Sequence, residues 1–200
     1  MEKFMQALQF AAHKHRFQKR KDPDQTPYIN HPIGVAHILS NEAGVTDSDI
    51  LAAALLHDTI EDTQTTFDEL QQEFGPRIAV YSIKNILSNL EFYLSNLFEL
   101  FIIGIVAELT DDKNLPKAER KRLQIANADK LTLDAVIVRL ADKIYNLRDL
   151  NRCTPVGWSD ERVKEYFEWS SKIAPQLFGR NAQLDAVLKE LFLQKNIRFD

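Results

Sequence analysis

The chain has 200 residues, 44% hydrophobic and 27% charged, which suits one soluble globular domain with a sizeable core. Its net charge of −4 argues against general affinity for nucleic acid, which requires a basic face, but allows a small anionic ligand in a local basic pocket. The N-terminal segment lacks the pattern of a signal peptide, and the single cysteine, Cys153, cannot form an internal disulfide. We therefore expect a cytoplasmic protein without a membrane partner.

The first third of the chain shows helical periodicity interrupted by polar loops. Apolar residues at helical spacing predict an amphipathic helix over residues 2–18, and a polar loop with two prolines follows. Pro32 suits the first position of the next helix, which places His31 at or beside its N-cap, and Gly44 ends that helix.

A third helix is predicted to begin at a cap formed by Asp47 or Ser48 and to continue through the segment HDTIED. Residues 66–74 predict a short helix that a glycine-proline pair ends. A long apolar stripe at helical spacing then covers residues 80–105, and its charged interruptions argue against a membrane span.

The remaining third alternates charged and apolar helical segments, among them DAVIVRLADKIYNLRDL and NAQLDAVLKELFLQ. Strand patterns are scarce, since the apolar run IVRL continues at helical spacing. The chain is therefore predicted to be all-α, with one domain over residues 1–200.

The segment HDTIED gathers an imidazole and three carboxylates at one end of an otherwise apolar helix. Helical spacing places Glu61 one turn from His57, and Asp62 one turn beyond Asp58. Like charges at this spacing are destabilising, and a bound cation reverses that cost; His and Asp are suitable ligands for Mn, Fe or Zn. The alternative is a solvated helix end followed by a polar turn.

Two residues elsewhere in the chain have the character of further ligands. His31 begins a helix after a loop, where it either points into a cleft or only caps the helix. Asp142 lies among apolar residues, where an unpaired carboxylate is costly, so it either binds a cation or pairs with Arg139 or Lys143. Three other histidines lack a comparable context and are expected to be ordinary helix residues: His13, His15 and His37.

Taken in order, the motifs YINHP, HDTIED and LADKIYNLRDL resemble the hydrolase domain of the bacterial SpoT and Rel alarmone enzymes. The stretches KRKDPDQTPYINHPIGVA, LTDDK, ERKRLQ and LRDLNRCTPVGW are similar to the stand-alone animal members of that family. The resemblance covers nearly the whole chain except about residues 80–103, and the motifs are specific when taken together.

The resemblance implies an all-helical HD-domain bundle that binds one Mn²⁺ per chain. It implies hydrolysis of the 3′-pyrophosphate of ppGpp to GDP and pyrophosphate, and it also implies removal of the 2′-phosphate of NADPH. The implied catalytic carboxylates are Glu61 and Asp62. The implied metal ligands are His31, His57, Asp58 and Asp142.

The resemblance also implies a set of substrate contacts. Without it, a solvated helix or loop face is the simpler interpretation of the basic residues among them. The implied substrate-binding residues are Arg20, Lys21, Asn146, Arg148, Arg162 and Tyr166.

The chain departs from the family at residues 80–103, an apolar insert between FGP and VAELTDD. Because the flanking motifs join naturally without it, we expect that deleting residues 80–103 keeps the fold and improves solubility. Two alternatives stay open: an HD phosphohydrolase acting on another nucleotide, and an inactive helical interaction protein whose insert offers an apolar partner surface. The sequence does not fix the oligomeric state.

Overall fold

The computed structural model describes residues 1–74 and 101–199. These ranges are helical, and they contain no strand beyond one isolated antiparallel bridge between Lys19 and Pro27. The all-α prediction is therefore confirmed. The helices of the described ranges are α1 (Glu2–Lys14), α2 (Asn30–Asn41), α3 (Ser48–Leu56), α4 (Thr59–Asp62), α5 (Phe67–Phe74), α6 (Phe101–Leu109), α7 (Lys117–Ala126), α8 (Leu133–Arg152), α9 (Asp160–Leu177) and α10 (Ala182–Gln194).

Helices α3 and α8 form the centre of the bundle. Helix α8 packs against α2, α3, α6, α9 and α10, while α3 packs against α1, α2 and α6. Helix α3 buries six of its nine residues and is apolar all round, which is typical of a helix enclosed by others. Both central helices begin at a side-chain cap, because Asp47 accepts from the Asp49 amide and Thr132 from the Ala135 amide.

Helix α2 begins two residues earlier than the sequence predicts, so Pro32 is its third residue. The amides of Asn30 and His31 donate to the carbonyls of Pro27 and Tyr28, and this tight turn starts the helix. Proline is tolerated at the third position because amides of the first turn have no partner within the helix. Helix α1 is also shorter than predicted, since it ends at Lys14.

The predicted insert lies mostly outside the described residues, which resume at Phe101. Its last residues begin α6, where Ile102 and Ile103 are buried against the core. A deletion test should therefore stop at residue 100, and the dispensability of the insert stays a prediction. Within residues 1–74 and 101–199, no helix is long and apolar enough to cross a membrane.

Candidate metal and catalytic site

Four side chains from three parts of the fold converge on one point. His31 Nε2, from α2, lies 3.2 Å from both Asp58 Oδ2 and Asp142 Oδ1. His57 Nε2, from the turn after α3, lies 3.2 Å from Asp58 Oδ2 and 3.8 Å from Asp142 Oδ1. Two imidazole nitrogens and two carboxylate oxygens thus face the same small volume, as the ligands of one metal ion do.

A break between α3 and α4 brings two consecutive residues to this point. In a continuous helix, neighbouring residues such as His57 and Asp58 would point in different directions. The prediction of one continuous helix through HDTIED is wrong, because α3 ends at Leu56 and α4 begins at Thr59. His57 Nδ1 lies 2.7 Å from the Ala54 carbonyl, and the Thr59 hydroxyl donates to the Leu56 carbonyl at 2.7 Å. These side chains bond to carbonyls that a continuing helix would use, so His57 and Asp58 leave the helix.

The residues of this cluster fit a divalent metal. His57 Nδ1 donates to a backbone carbonyl, so Nε2 is the ring nitrogen that faces the cluster, and Nε2 is buried without a hydrogen-bond partner among the described residues. A ligating histidine has this arrangement, with its other ring nitrogen held by a carbonyl. Asp142 Oδ1 accepts from Asn146 Nδ2 at 2.7 Å, and Lys143 Nζ lies 3.4 Å from Oδ2. Both contacts orient the carboxylate.

The histidines and aspartates of the cluster shift each other's pKa values. Burial opposes protonation of His57, but the carboxylates of Asp58 and Asp142 outweigh it and raise the His57 pKa to about 10. Burial also disfavours the charged form of Asp142, yet Lys143 and the two histidines hold its pKa well below the usual value. At neutral pH a proton on His57 therefore balances part of the negative charge that a metal ion would balance.

Metal binding should displace the His57 proton. We expect Mn²⁺ binding to the metal-free chain at neutral pH to release about one proton, because the ligating imidazole must be neutral. Since the His57 pKa is about 10, apparent affinity should rise about tenfold per pH unit and level off as pH approaches that value. Calorimetry in buffers of different ionisation enthalpy measures the release. A pH-independent affinity with a buffer-independent enthalpy would show that His57 is neutral before binding.

The two predicted catalytic carboxylates lie on α4, next to the cluster. Glu61 Oε1 accepts from Arg120 Nη1 at 3.1 Å. Burial, followed by the carboxylates of Asp111, Asp58 and Asp62, raises the pKa of Glu61 to about 7 in spite of that contact. A carboxylate with a pKa near neutrality is well matched to proton transfer at physiological pH.

Asp62 is held by two donors. Its Oδ2 accepts from the Tyr28 hydroxyl at 2.7 Å, and its Oδ1 lies 3.4 Å from Lys113 Nζ. The same hydroxyl lies 2.7 Å from Asp58 Oδ2. Burial and these two carboxylates raise the pKa of Tyr28 far above its usual value, so the hydroxyl stays protonated and donates.

Two clefts lie beside the neighbours of the cluster, although none of the four predicted ligands lines either cleft. The first, which we call the Lys21 cleft, has a volume of about 390 Å³, and its lining includes Lys19, Arg20, Lys21, Tyr28, Asp62, Asn146, Trp158 and Tyr166. The second, the Arg162 cleft, has a volume of about 580 Å³, and its lining includes Glu61, Lys117, Arg120, Lys121, Trp158, Arg162, Tyr166 and Trp169. Trp158 and Tyr166 line both clefts. Each cleft is also lined by one of the two predicted catalytic carboxylates, Asp62 in the first and Glu61 in the second.

The structure brings five of the six predicted substrate-binding residues into these clefts. Arg20 Nη2 donates to Asn146 Oδ1 at 3.0 Å and to Asp149 Oδ2 at 2.9 Å. Because Asn146 also donates to Asp142, a chain of hydrogen bonds joins the Lys21 cleft to the cluster of predicted metal ligands. Arg148 is not brought together with the others: it is exposed, outside the lining of both clefts, and forms two hydrogen bonds to Glu42 at 2.6 and 2.8 Å.

Two residues beside the cluster are not predicted from the sequence. Tyr28 belongs to the YINHP motif and Arg120 to the ERKRLQ motif, so the two motifs are the signal that could identify them. His15 was expected to be an ordinary helix residue and is not, because it lies just after α1, buried against the Tyr28 ring at 4.8 Å. His13 and His37 are exposed helix residues, as predicted.

The chain is similar to a known domain family and to proteins of known activity. The HD domain family matches residues 7–166. The human guanosine-3′,5′-bis(diphosphate) 3′-pyrophosphohydrolase MESH1 is 52% identical over 193 residues, 96% of this chain and 94% of the human protein. The Drosophila melanogaster MESH1 is 47% identical over 195 residues, which cover 98% of this chain and 96% of that protein.

Two solved structures are similar to this chain. One, of a metazoan ortholog of SpoT that hydrolyzes ppGpp and plays a role in starvation responses, superposes with a TM-score of 0.85 at 46% identity, covering 99% of this chain and 98% of that chain. The protein lmo0812 from Listeria monocytogenes shares only the fold, with a TM-score of 0.57 at 23% identity, covering 83% of this chain and 98% of that chain. The chain belongs to the HD domain family and, within it, to the family of the MESH1 pyrophosphohydrolases.

Proposed function

We propose that the chain hydrolyses the 3′-pyrophosphate of ppGpp, with water as co-substrate and GDP and pyrophosphate as products. The observation that carries the proposal is the convergence of His31, His57, Asp58 and Asp142, together with two nearby clefts that are lined by cations. The proposed cofactor is one Mn²⁺ held by these four side chains. We further propose a cytoplasmic location, which the single free cysteine supports.

A divalent cation bound by these ligands supplies Lewis acidity, which polarises a phosphoryl oxygen and lowers the pKa of water. Side chains of the protein transfer the proton and position the reacting groups. Glu61 or Asp62 accepts the proton of the attacking water, and the near-neutral pKa of Glu61 makes it the better acceptor at physiological pH. Arg120 keeps the Glu61 carboxylate in place during the transfer.

The two clefts match a nucleoside that carries two diphosphate groups. Phosphate oxygens bind most strongly to arginine and lysine through charge-assisted hydrogen bonds. Three cations line the Lys21 cleft, and four line the Arg162 cleft: Lys117, Arg120, Lys121 and Arg162. A molecule with one diphosphate on each side of its ribose can place both groups near cations, while Trp158 and Tyr166 offer ring faces between them.

A second candidate reaction, removal of the 2′-phosphate of NADPH, uses the same features, since this dinucleotide also carries phosphates on both sides of a ribose. Turnover assays on ppGpp, NADPH and GMP with added Mn²⁺ separate these possibilities. We expect GDP and pyrophosphate from ppGpp in equal amounts and no product from GMP. Turnover of NADPH or GMP without turnover of ppGpp would contradict the proposal.

Replacing Lys21 should weaken substrate binding more than turnover. Lys21 is exposed on the Lys21 cleft, and Lys21→Met removes a phosphate partner while keeping most of the side-chain volume. Loss of one hydrogen bond to a charged group should raise KM about 10-fold with a smaller change in kcat. The matched control is Lys164→Met on α9, which lies outside both clefts and pairs with Glu168. Equal KM values for the two variants would make Lys21 an ordinary solvated residue.

A further inference from the structure

We infer that Tyr28 is a positioning residue whose hydroxyl holds Asp58 and Asp62 in fixed relation to each other. The inference rests on the proposed function, in which Asp58 is a metal ligand and Asp62 a catalytic carboxylate. The Tyr28 hydroxyl lies 2.7 Å from Asp58 Oδ2 and 2.7 Å from Asp62 Oδ2. It is therefore a direct link between the metal cluster and the acid–base group.

The hydroxyl binds the oxygen of Asp58 that faces the cluster. The same Oδ2 lies 3.2 Å from the Nε2 atoms of His31 and His57. A carboxylate oxygen has two lone pairs, so a donor on one of them directs the other. When its hydroxyl donates to Asp58, Tyr28 occupies one lone pair of Oδ2 and leaves the second directed toward the point where the imidazole nitrogens meet, as partners of ligating groups commonly do.

The same hydroxyl also reduces the electrostatic repulsion between the two carboxylates. Asp58 and Asp62 carry like charges one turn apart, an arrangement that is otherwise destabilising. The hydroxyl has one proton, so it donates to one Oδ2 at a time, and sharing that proton between the two carboxylates offsets their repulsion and holds Asp62 near Asp58. Without that donor, the Asp62 side chain keeps, within residues 1–74 and 101–199, only the contact to Lys113, whose side chain is half exposed.

The surroundings of Tyr28 hold its ring firmly. The ring packs against His15 at 4.8 Å and against His31 at 5.7 Å, and the Arg20 guanidinium lies 5.7 Å from its centroid. The Tyr28 amide donates to the Gln18 carbonyl, and its carbonyl accepts from the His31 amide. A residue fixed through its ring and its backbone can position others through its hydroxyl.

Tyr28 also lines the Lys21 cleft, so the competing role is a direct substrate contact. The two roles differ in what the hydroxyl changes. A positioning hydroxyl affects metal affinity and kcat, whereas a substrate contact made equally in the ground state and the transition state affects KM.

The test is Tyr28→Phe, which removes the hydroxyl and keeps the ring. We expect the affinity for Mn²⁺ alone, measured by calorimetry, to fall about 10-fold, and kcat on ppGpp to fall about 10- to 100-fold with KM nearly unchanged. The matched control is Tyr145→Phe, whose ring also packs against His31, at 4.9 Å, but whose hydroxyl makes no hydrogen bond within the described residues. The control should behave like the wild type in all three measurements.

A double-mutant cycle tests whether Tyr28 acts through Asp62. In an Asp62→Asn background, Tyr28→Phe should lower kcat by less than about 3-fold, because residues that act as a unit are not additive. A raised KM with unchanged metal affinity and kcat, or losses in kcat that multiply, would overturn the inference. If the wild type fails to hydrolyse ppGpp, the proposed function fails, whereas the Mn²⁺ affinities of the two Phe variants still decide the role of Tyr28.

Discussion

Replacing Asp142 by asparagine is expected to abolish metal retention and, with it, turnover. Asp142 Oδ1 lies 3.2 Å from His31 Nε2 and 3.8 Å from His57 Nε2, and a neutral amide cannot supply the same charge to a cation. Asp58 is then the one carboxylate left beside the two histidines, and among the described residues the buried group of His31, His57 and Asp142 contains no second acid. We expect metal affinity to fall at least about 100-fold, which corresponds to about 2.8 kcal/mol of binding free energy.

The measurement is elemental analysis after dialysis, with turnover recorded on the same samples. The control is Asp134→Asn, which lies on the same helix α8 but outside both clefts. Because Asp142→Asn leaves Lys143 without its carboxylate partner, thermal unfolding must show that the variant is folded. Metal content equal to that of the control would refute Asp142 as a ligand.

Glu61→Gln and Asp62→Asn should lower turnover while metal and substrate binding are retained. Both carboxylates lie outside the group of four proposed ligands, and the amides keep an acceptor for Arg120 and Tyr28. Loss of general acid–base catalysis typically lowers the rate about 10²- to 10⁴-fold. A fall in kcat at similar KM marks an interaction made mainly in the transition state.

The control for these variants is Glu119→Gln on α7, because Glu119 pairs with Arg122 and lines neither cleft. Its kcat should equal that of the wild type. The competing interpretation is that Glu61 and Asp62 only make the end of α4 polar. Under that interpretation both amide variants hydrolyse ppGpp at nearly the wild-type rate.

Helical periodicity predicted much of this fold, because most helices bury one apolar face, and α3, α8, α9 and α10 begin at side-chain caps. The burial of Asp142 could be predicted in this way, because apolar residues surround it in the sequence, and a buried carboxylate requires a partner. The structure places it on α8, at the centre of the bundle. Periodicity alone also separates two of the predicted substrate contacts. At about 100° per residue, Asn146 lies about 40° from Asp142 around the helix, whereas Arg148 lies about 120° away. Arg148 accordingly pairs with Glu42 outside the clefts.

Other features depend on contacts that no local pattern contains. The break after Leu56 arises from side-chain bonds of His57 and Thr59 to backbone carbonyls, in a segment whose composition suits a continuous helix. The burial of His15 depends on its contact with Tyr28, which lies thirteen residues later in the chain. Such placements follow from tertiary packing, which overrides local propensity.

The measurement that tests the account most directly is ppGpp turnover during titration of Mn²⁺ into the metal-free chain. The account predicts that turnover rises from the background rate and saturates at one metal ion per chain, with GDP and pyrophosphate formed in equal amounts. In Asp142→Asn the same titration should leave turnover at background. Turnover that does not depend on added metal, or that survives in Asp142→Asn, would contradict metal-dependent hydrolysis at this site.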